Sequence, residues 1–396
     1  MVTGMHDHRP PPAPAPVAPR LAHDPAPMAE LHAVGHRFGS NVALRDLSFS
    51  VPSGRITVLL GPNGAGKTTA IRAITGALVP TEGAVAAFGL DPDADGHLVR
   101  PRCGVVSAKP ALYDRLSGRD NLSYAGELYG VGSDLATRLE AAAERFGIRD
   151  ALDQLVGGYS TGMKTRLALA RSILHDPELL LFDEPTSGLD PESAHAVLEL
   201  IREMTSDGRT VVMCTHLLSE AEGLADHIVV MEAGTVLVSG SPEDLTERYW
   251  PHTVVHLGAQ DPRLLDRVAA WPGVVAYRRD AGGARVELDD LDRVPDLVAA
   301  LVGDGVRVTR VDPHQPTLED LYFTIRRQAG GQDTGTTDAL APIEAARPVA
   351  ATAPPLQQTS PLTGAVVPDH LPPSDAPISA SNGTAPHPHH EPGPQR

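Results

Sequence analysis

The chain has 396 residues, of which 41% are hydrophobic, and it carries a formal net charge of −17. It can bury one large core or two smaller ones, and its acidity argues against a broad nucleic-acid-binding surface. Its only cysteines, Cys103 and Cys214, lie in segments predicted to form the core, which favours a reducing compartment without disulfides. No apolar run reaches the roughly 20 residues that cross a bilayer, so action at a membrane requires a membrane-spanning partner.

Two ordered units, at residues 29–250 and 251–327, are predicted between tails at 1–28 and 328–396. The first tail is dominated by Pro, Ala and His, and the second by Pro, Ala, Thr, Gly and Ser. Both tails are predicted to be disordered, because neither holds enough apolar surface to offset the entropy of ordering. Unstructured histidines bind metals weakly without a preorganised shell, so metal binding is not the expected role of His6, His8, His387, His389 and His390.

The first unit opens with a predicted buried strand, Ile56–Leu60, followed by GPNGAGKTT. This spacing fits the phosphate-binding loop G-x-x-x-x-G-K-[ST], in the strand-then-helix context that the motif needs. Glycines let consecutive N–H groups face one anion, and the helix starting near Gly66 adds the positive end of its dipole. Lys67 is expected to neutralise the outer phosphates and Thr68 to hold a magnesium ion. The predicted nucleotide-binding residues are Gly61, Pro62, Asn63, Gly64, Ala65, Gly66, Lys67, Thr68 and Thr69.

Apolar runs and amphipathic segments alternate through 29–250, which predicts an α/β fold with helices packed on a largely parallel sheet. The section 91–158 is expected to be more helical than its surroundings, and Ser117 with Asp120 has the spacing of a capping box. The stretch YSTGMKTR then opens a helix with Ser160 as its N-cap. A serine and a glycine at a helix N-terminus predict a second anion site, separate from the first.

A second predicted strand, at 178–182, ends in Asp183 and Glu184. In a phosphate-loop enzyme, an acid at the end of a neighbouring strand holds magnesium opposite the loop hydroxyl, and Asp183 fits that place. Adjacent strand residues point to opposite sides, so Glu184 is expected to face a water in line with the terminal phosphate, as general base or positioner. The alternative for an isolated acidic pair at a strand end is a solvated turn.

The chain continues as a βαβ unit. Asp190 is a candidate N-cap with Pro191 at the first helical position, and the helix ends at the turn formed by Asp207 and Gly208. A strand at 210–215 follows and leads to His216, at the carboxyl edge where the sites of open sheets lie.

Residues 251–327 predict a smaller α+β module. Strands at 252–257, 274–278, 285–288 and 306–311 are interleaved with helices around 264–270 and 294–302. This βαββαβ order is typical of a ferredoxin-like fold. Thr317 and Asp320 predict a capped closing helix. The module contains no catalytic cluster in its sequence, so regulation or dimer contact is its expected role.

Five motifs occur in the order found in ATP-binding cassette (ABC) ATPases: GPNGAGKTT, STGM, LLLFDEP, SGLD and the histidine in CTHLLSEAE. On these motifs, residues 29–327 resemble that family. The resemblance implies a P-loop ABC ATPase domain with a helical subdomain, which binds and hydrolyses ATP with Mg²⁺. It also implies a homodimer in which two cassettes pair head to tail. Each ATP would then lie between one subunit's phosphate loop and the other subunit's Ser160, Thr161, Gly162 and Met163.

The resemblance also implies roles for single residues. Asp183 would bind magnesium together with Thr68, Glu184 would be the general base, and His216 would contact the terminal phosphate beside Lys67. Asp190 would lie in the loop that joins the two sites. Phe38 occupies the place where the family stacks an aromatic ring on adenine, and the alternative for Phe38 is a core aromatic.

Two departures refine this interpretation. STGM replaces the common SGGQ, and together with a C-terminal module it is similar to the drug and antibiotic exporter branch, including anthracycline self-resistance ATPases. This branch implies a peripheral subunit at the cytoplasmic face of the membrane, which drives export of a drug, antibiotic or lipid-like molecule through a separate transmembrane permease. Ala108 stands where the family carries glutamine or glutamate, so coupling to that partner is expected to be weaker or carried by neighbours such as Lys109.

A phosphate loop is also compatible with two other functions. A soluble ABC ATPase acting on ribosomes, nucleic acid or cluster assembly is the main alternative. Ribosome-acting members usually carry two cassettes, and repair types interrupt the cassette with coiled coils, whereas this chain has one phosphate loop and no sustained heptads between Thr69 and Ser160. A small-molecule kinase or GTPase leaves STGM and His216 unexplained.

Overall fold

The computed structural model of the chain describes residues 26–280 and 282–329. All the candidate metal-binding histidines, and both predicted tails apart from residues 26–28 and 328–329, lie outside the described residues. The strands of the described part are, in chain order, β1 (Ala29–Phe38), β2 (Asn41–Val51), β3 (Ile56–Leu60), β4 (Glu82–Ala87), β5 (Cys103–Val106), β6 (Leu179–Asp183), β7 (Thr210–Thr215), β8 (His227–Glu232), β9 (Thr235–Gly240), β10 (Thr253–Ala259), β11 (Val274–Arg279), β12 (Ala284–Leu288) and β13 (Val308–His314).

Ten α-helices connect these strands in the described residues. They are α1 (Lys67–Ile74), α2 (Gly96–Val99), α3 (Gly118–Leu128), α4 (Leu135–Arg145), α5 (Thr161–Ile173), α6 (Pro191–Ser206), α7 (Leu218–Ala221), α8 (Pro242–Tyr249), α9 (Val294–Gly303) and α10 (Leu318–Gln328).

A six-stranded sheet in the order β5-β6-β7-β3-β8-β9 forms the centre of the cassette. All its neighbouring strands are parallel except β8 and β9, which pair antiparallel. Every residue of β3, β6 and β7 is buried, because helices or other strands cover both faces of the sheet. The carboxyl ends of these three adjacent strands therefore bring together the phosphate loop, the Asp183–Glu184 pair and His216.

A second, antiparallel sheet in the order β2-β1-β4 packs beside the first and was not predicted from the sequence. Buried and exposed side chains do not alternate regularly along β1, because the strand shifts register between Leu31 and Val34 and Ala33 has a positive φ of 50°. This sheet shares a core with α1 and with one face of the central sheet, including Leu59 and Leu181. Phe38 ends β1 at the phosphate-loop side.

Helices α3 and α5 begin at their predicted N-cap residues. Ser117 Oγ accepts a hydrogen bond from the Asp120 N–H at 3.0 Å, and the Ser117 N–H donates to the Asp120 carboxylate at 3.2 Å, so the predicted capping box begins α3. Ser160 caps α5 by accepting from the Met163 N–H at 3.2 Å. The two helices share a buried core with α4 through Leu122, Leu139, Phe146, Leu152 and Leu167.

The C-terminal module has the predicted ferredoxin-like topology. Its sheet order is β11-β12-β10-β13, and all neighbours pair antiparallel. The predicted helix at 264–270 is wrong in type, because Pro262–Ala270 is a 3₁₀ helix whose buried Leu265 and Val268 recur every three residues. The last strand was placed too early: β13 extends to His314 and accepts Pro313 because it is an edge strand.

Helix α10 attaches the module to the cassette. The predicted capping box is present, since Thr317 Oγ1 accepts from the Asp320 N–H at 3.2 Å and the Thr317 N–H donates to Asp320 at 2.9 Å. Leu321 and Ile325 join the main core of the cassette. The Leu318 N–H donates to the carboxylate of Glu222, directly after α7, at 3.3 Å. The module therefore contacts the segment that follows His216.

Candidate functional site

The phosphate loop follows the buried strand β3, and its three glycines are required for space or for backbone conformation. A Cβ added to Gly61 would collide with the carbonyl oxygen of Met231, and Gly64 and Gly66 have φ angles of 83° and 100°, which favour glycine. Gly66 is the N-cap of α1 and supplies no side-chain hydrogen bond. The first N–H groups of this helix are therefore available to an anion.

Lys67, Thr68 and Asp183 lie together at the base of the loop. Lys67 Nζ donates to the carbonyl oxygens of Gly61 at 2.6 Å and Pro62 at 3.2 Å. Thr68 Oγ1 donates to Asp183 Oδ2 at 2.8 Å. Burial raises the pKa of Asp183, partly opposed by the hydrogen bond from Thr68. A hydroxyl and a buried carboxylate are hard oxygen donors, which is the donor chemistry that Mg²⁺ prefers.

Glu184 lies between a lysine and a histidine. Its Oε1 is 3.9 Å from Lys67 Nζ and 3.1 Å from His216 Nδ1. Its φ of 50° is left-handed, a conformation that costs a non-glycine residue about 1–3 kcal/mol and is concentrated at functional sites. The Glu184 N–H donates to the Cys214 carbonyl at 3.0 Å, which ties the strained residue to β7. Glu184 and Thr68 line the same pocket, but Glu184 contacts Lys67 and His216, whereas Thr68 is bonded to Asp183.

A pocket of about 270 Å³ opens above the loop. Phe38 lines it with 48% of its surface exposed, so the alternative of a core aromatic is wrong, while stacking on adenine stays a prediction. His36 contacts the Phe38 ring edge to face, with centroids 4.6 Å apart. Three further residues that line the pocket were not predicted from the sequence: Asn41, Val42 and Ala43. Their signal is the turn at Gly39, which folds β2 back beside Phe38.

Replacing Phe38 with alanine is expected to weaken ATP binding about 5–150-fold, because stacking a base on an aromatic ring contributes about 1–3 kcal/mol. Phe38→Tyr keeps the ring and is expected to keep the affinity. Isothermal titration with ATP measures both variants, and an unchanged affinity in the alanine variant would show that Phe38 does not hold the base.

The residues of the STGM motif, together with Asp190, form a second cluster away from this pocket. Ser160 and Thr161 are exposed at the start of α5, Met163 is partly buried, and Gly162 faces Ser193 and Leu189. Asp190 Oδ1 accepts from the Ser193 N–H at 3.0 Å, and its hydrogen bonds to Ser193 lower its pKa. None of these residues lines the pocket above the phosphate loop. The predicted site residues thus form two groups within one chain.

Comparison with known proteins decides the family. A family profile described as "ABC transporter" matches residues 44–187, and one described as "ATP-binding protein DrrA1-3-like, C-terminal domain" matches residues 240–325. The chain is 34% identical to the Daunorubicin resistance ATP-binding protein DrrA3 of Streptomyces coeruleorubidus, over 72% of this chain and 92% of that protein. The chain belongs to the ABC transporter ATP-binding proteins. As a member of this family it binds and hydrolyses ATP in support of transport.

Other relatives of the cassette agree with this assignment. The ABC transporter ATP-binding protein NatA of Bacillus subtilis is 38% identical over 52% of this chain and 84% of its own length. The Nod factor export ATP-binding protein I of Burkholderia orbicola is 34% identical over 74% of this chain and 94% of its own length. A solved structure of an ATP-binding subunit of an ABC transporter superposes with a TM-score of 0.52 at 29% identity, covering 56% of this chain and 93% of that one. Among residues 26–280 and 282–329, no helix is long and apolar enough to span a bilayer.

Proposed function

We propose that this cassette powers export of a drug, antibiotic or lipid-like molecule through a separate transmembrane permease, at the cytoplasmic face of the membrane. The observation that carries the proposal is the alignment across the C-terminal module. Relatives named for daunorubicin resistance and for Nod factor export align with this chain over 92% and 94% of their own lengths. A cassette acting on ribosomes or nucleic acid has no comparable support, and the net charge of −17 opposes it.

The two clusters of site residues support a head-to-tail homodimer. The phosphate-loop cluster supplies contacts to phosphates, adenine and metal, but it lacks the anion site at the start of α5. In an isologous pair, each subunit presents the same two clusters. Ser160 and Gly162 of each subunit then face the phosphate loop of the other subunit, which gives two equivalent ATP sites. ATP then stabilises the dimer and hydrolysis releases it. Asp190, beside Ser193 in the second cluster, lies at the junction of the two sites in this arrangement.

Mg²⁺ fits the oxygen donors at the base of the loop. Thr68 and Asp183 would hold it, and when bound it neutralises charge on the phosphate oxygens. Lys67 binds the outer phosphates, while Glu184 orients a water molecule and accepts its proton. His216 holds the Glu184 carboxylate at 3.1 Å and is positioned to contact the terminal phosphate. Most of the catalysis proposed here is positioning and charge stabilisation.

A groove of about 290 Å³ suits a cytoplasmic segment of the membrane partner. Its lining includes Thr68 and Asp183 as well as Val105, Ser107 and Tyr129. The groove therefore connects the proposed magnesium ligands with the segment that carries Ala108. An inserted side chain would sense the metal site directly.

Aromatic side chains beyond this segment are exposed. Tyr113 and Tyr124 are 51% and 50% exposed and pack edge to face at 5.4 Å, with Leu116 and Leu128 also exposed on this part of the chain. A cluster of exposed apolar side chains favours an interaction site on this part of the surface. Ala108 itself is exposed and adds no polar group, while Ser107 Oγ donates to the Lys109 carbonyl at 2.9 Å. Coupling at this position is therefore assigned to shape and to the neighbouring residues.

The test is capture of the partner from the native cell. Tagged Glu184→Gln protein is purified from membranes in mild detergent with ATP and magnesium, and the same bait with ADP is the nucleotide control. We expect a polytopic membrane protein to co-purify only with ATP. Adding Tyr124→Arg to the bait changes an exposed side chain and is expected to abolish capture without affecting ATP binding. Recovery of ribosomes, nucleic acid or the dimer alone would overturn the export proposal.

A further inference from the structure

Glu220, in the short helix α7, is a buried carboxylate with two hydroxyl donors. It is 7% exposed. Thr186 Oγ1 donates to its Oε1 at 2.5 Å, and Thr215 Oγ1 donates to its Oε2 at 2.6 Å. Both threonines are themselves buried, so water does not compete for these bonds. The two oxygens of this carboxylate therefore bind two separate segments, the loop after β6 and the end of β7.

These two segments lead directly to the proposed hydrolytic residues. Thr186 is two residues after Glu184, and Thr215 directly precedes His216. Thr215 Oγ1 also accepts from the Leu217 N–H at 3.0 Å, which fixes the backbone on the far side of the histidine. The Glu220 carboxylate thus joins the loop after β6 to the last residue of β7, next to His216, which is 3.1 Å from Glu184.

A purely structural role explains this arrangement poorly. Burying a carboxylate costs desolvation free energy, and an apolar side chain of similar volume avoids that cost. Among the ion pairs of the described residues none includes Glu220, so a neighbouring cation does not account for its burial. What the carboxylate adds is direction, because charge-assisted hydrogen bonds fix the positions of both donors.

We propose that Glu220 is a positioning residue for ATP hydrolysis, which holds the Glu184 and His216 loops in one fixed relative arrangement. The strained backbone of Glu184 needs such support, because a residue in the left-handed region keeps its conformation only where its surroundings determine it. The carbonyl of Cys214 in β7 accepts a hydrogen bond from the Glu184 N–H. Glu220 accepts one from Thr186, two residues after Glu184. This inference rests on the hydrolytic roles proposed above for Glu184 and His216, and it is independent of export.

The most specific test uses Thr186, because two substitutions separate the hydroxyl from the packing. Thr186→Val keeps the shape and removes the donor, whereas Thr186→Ser keeps the donor. Small misplacement of catalytic groups costs about 10–100-fold in rate, so Thr186→Val and Glu220→Leu are expected to lower kcat by about that factor. Thr186→Ser is expected to stay within about three-fold of the wild type. The ATP Kd of all three is expected to change less than about two-fold, because none contacts the nucleotide pocket.

A second measurement separates positioning from general destabilisation. Thr186→Val is combined with His216→Ala, and basal hydrolysis by the purified full-length chain is compared with both single variants. Residues that act as one unit give non-additive losses, so the double variant is expected to be no slower than His216→Ala alone. The melting temperature of Thr186→Val is measured in parallel and serves as the stability control.

Each outcome is decisive. Equal kcat values for Thr186→Val and Thr186→Ser, a loss confined to ATP affinity, or additive losses in the double variant would overturn the role of Glu220. A normal kcat in His216→Ala alone would instead overturn the proposed role of His216. If Glu220→Leu does not fold, the two Thr186 variants decide the question without it.

Discussion

Glu184→Gln is expected to slow ATP hydrolysis by about 10²–10⁴-fold, the usual contribution of a general base. Glutamine has nearly the same shape and retains a carbonyl oxygen facing His216 and Lys67, but it does not accept a proton from the attacking water. ATP affinity is expected to stay within about two-fold of the wild type, because the lost step follows binding. Single-turnover phosphate release measures the first effect and equilibrium nucleotide binding the second.

The chain offers a matched control for this substitution. Glu178 precedes the opposite end of β6, pairs with Arg102 at 2.6 Å and is 53% exposed. Glu178→Gln makes the same chemical change outside the site and is expected to leave turnover unchanged. Because bound ATP stabilises the proposed dimer, Glu184→Gln should also remain dimeric in ATP and magnesium by light scattering. Turnover at the wild-type rate would show that another group accepts the proton, and His216 would be the next residue to test.

The central sheet is readable from sequence because of how it is buried. Strands β3 and β7 are covered on both faces, so they appear as largely apolar runs, and both predicted ranges agree with the structure. The ends of such strands lie at one edge of the sheet. The grouping of Lys67, Asp183 and His216 at that edge follows from the order of the strands alone.

The antiparallel sheet could not be read in the same way. Bulges in β1 interrupt the two-residue alternation on which strand prediction depends. Asn41, Val42 and Ala43 reach the nucleotide pocket only because β2 folds back beside Phe38, a consequence of long-range pairing. The 3₁₀ helix at Pro262–Ala270 was predicted to be an α-helix because a nine-residue amphipathic segment supports either period.

Two features of the site required the three-dimensional structure. The positive φ of Glu184 has no sequence signal, since strained backbone at a non-glycine residue depends on its surroundings. Glu220 looks like an ordinary surface acid within LLSEAE, yet the fold buries it between Thr186 and Thr215. Conversely, the pairing of the two site clusters across a dimer is implied only by the family resemblance, because a single chain keeps them apart.

Gly162→Asp is expected to abolish hydrolysis while leaving the folded chain intact, which makes it the strongest test of that pairing. A Cβ at Gly162 would have Ser193 Oγ as its nearest neighbour, at 3.6 Å, an ordinary contact. An acid in the first turn of α5 also suits the helix dipole, so stability is expected to stay equal or rise by up to about 1 kcal/mol. The added charge would, however, face the phosphates of ATP bound to the partner subunit. Like charges in contact cost several kcal/mol, which corresponds to a loss of about 10²-fold or more.

Mixing this variant with Lys67→Ala separates a composite site from a site within one chain. In a head-to-tail dimer of the two variants, the intact phosphate loop of the Gly162→Asp chain faces the intact α5 start of the Lys67→Ala chain. One complete site forms, and hydrolysis is expected to reappear on mixing in proportion to the mixed dimer. If each chain completed its own site, neither variant would supply what the other lacks. Mixtures would then remain as inactive as their components, and Ser160 and Gly162 would have to act elsewhere than on the partner's ATP.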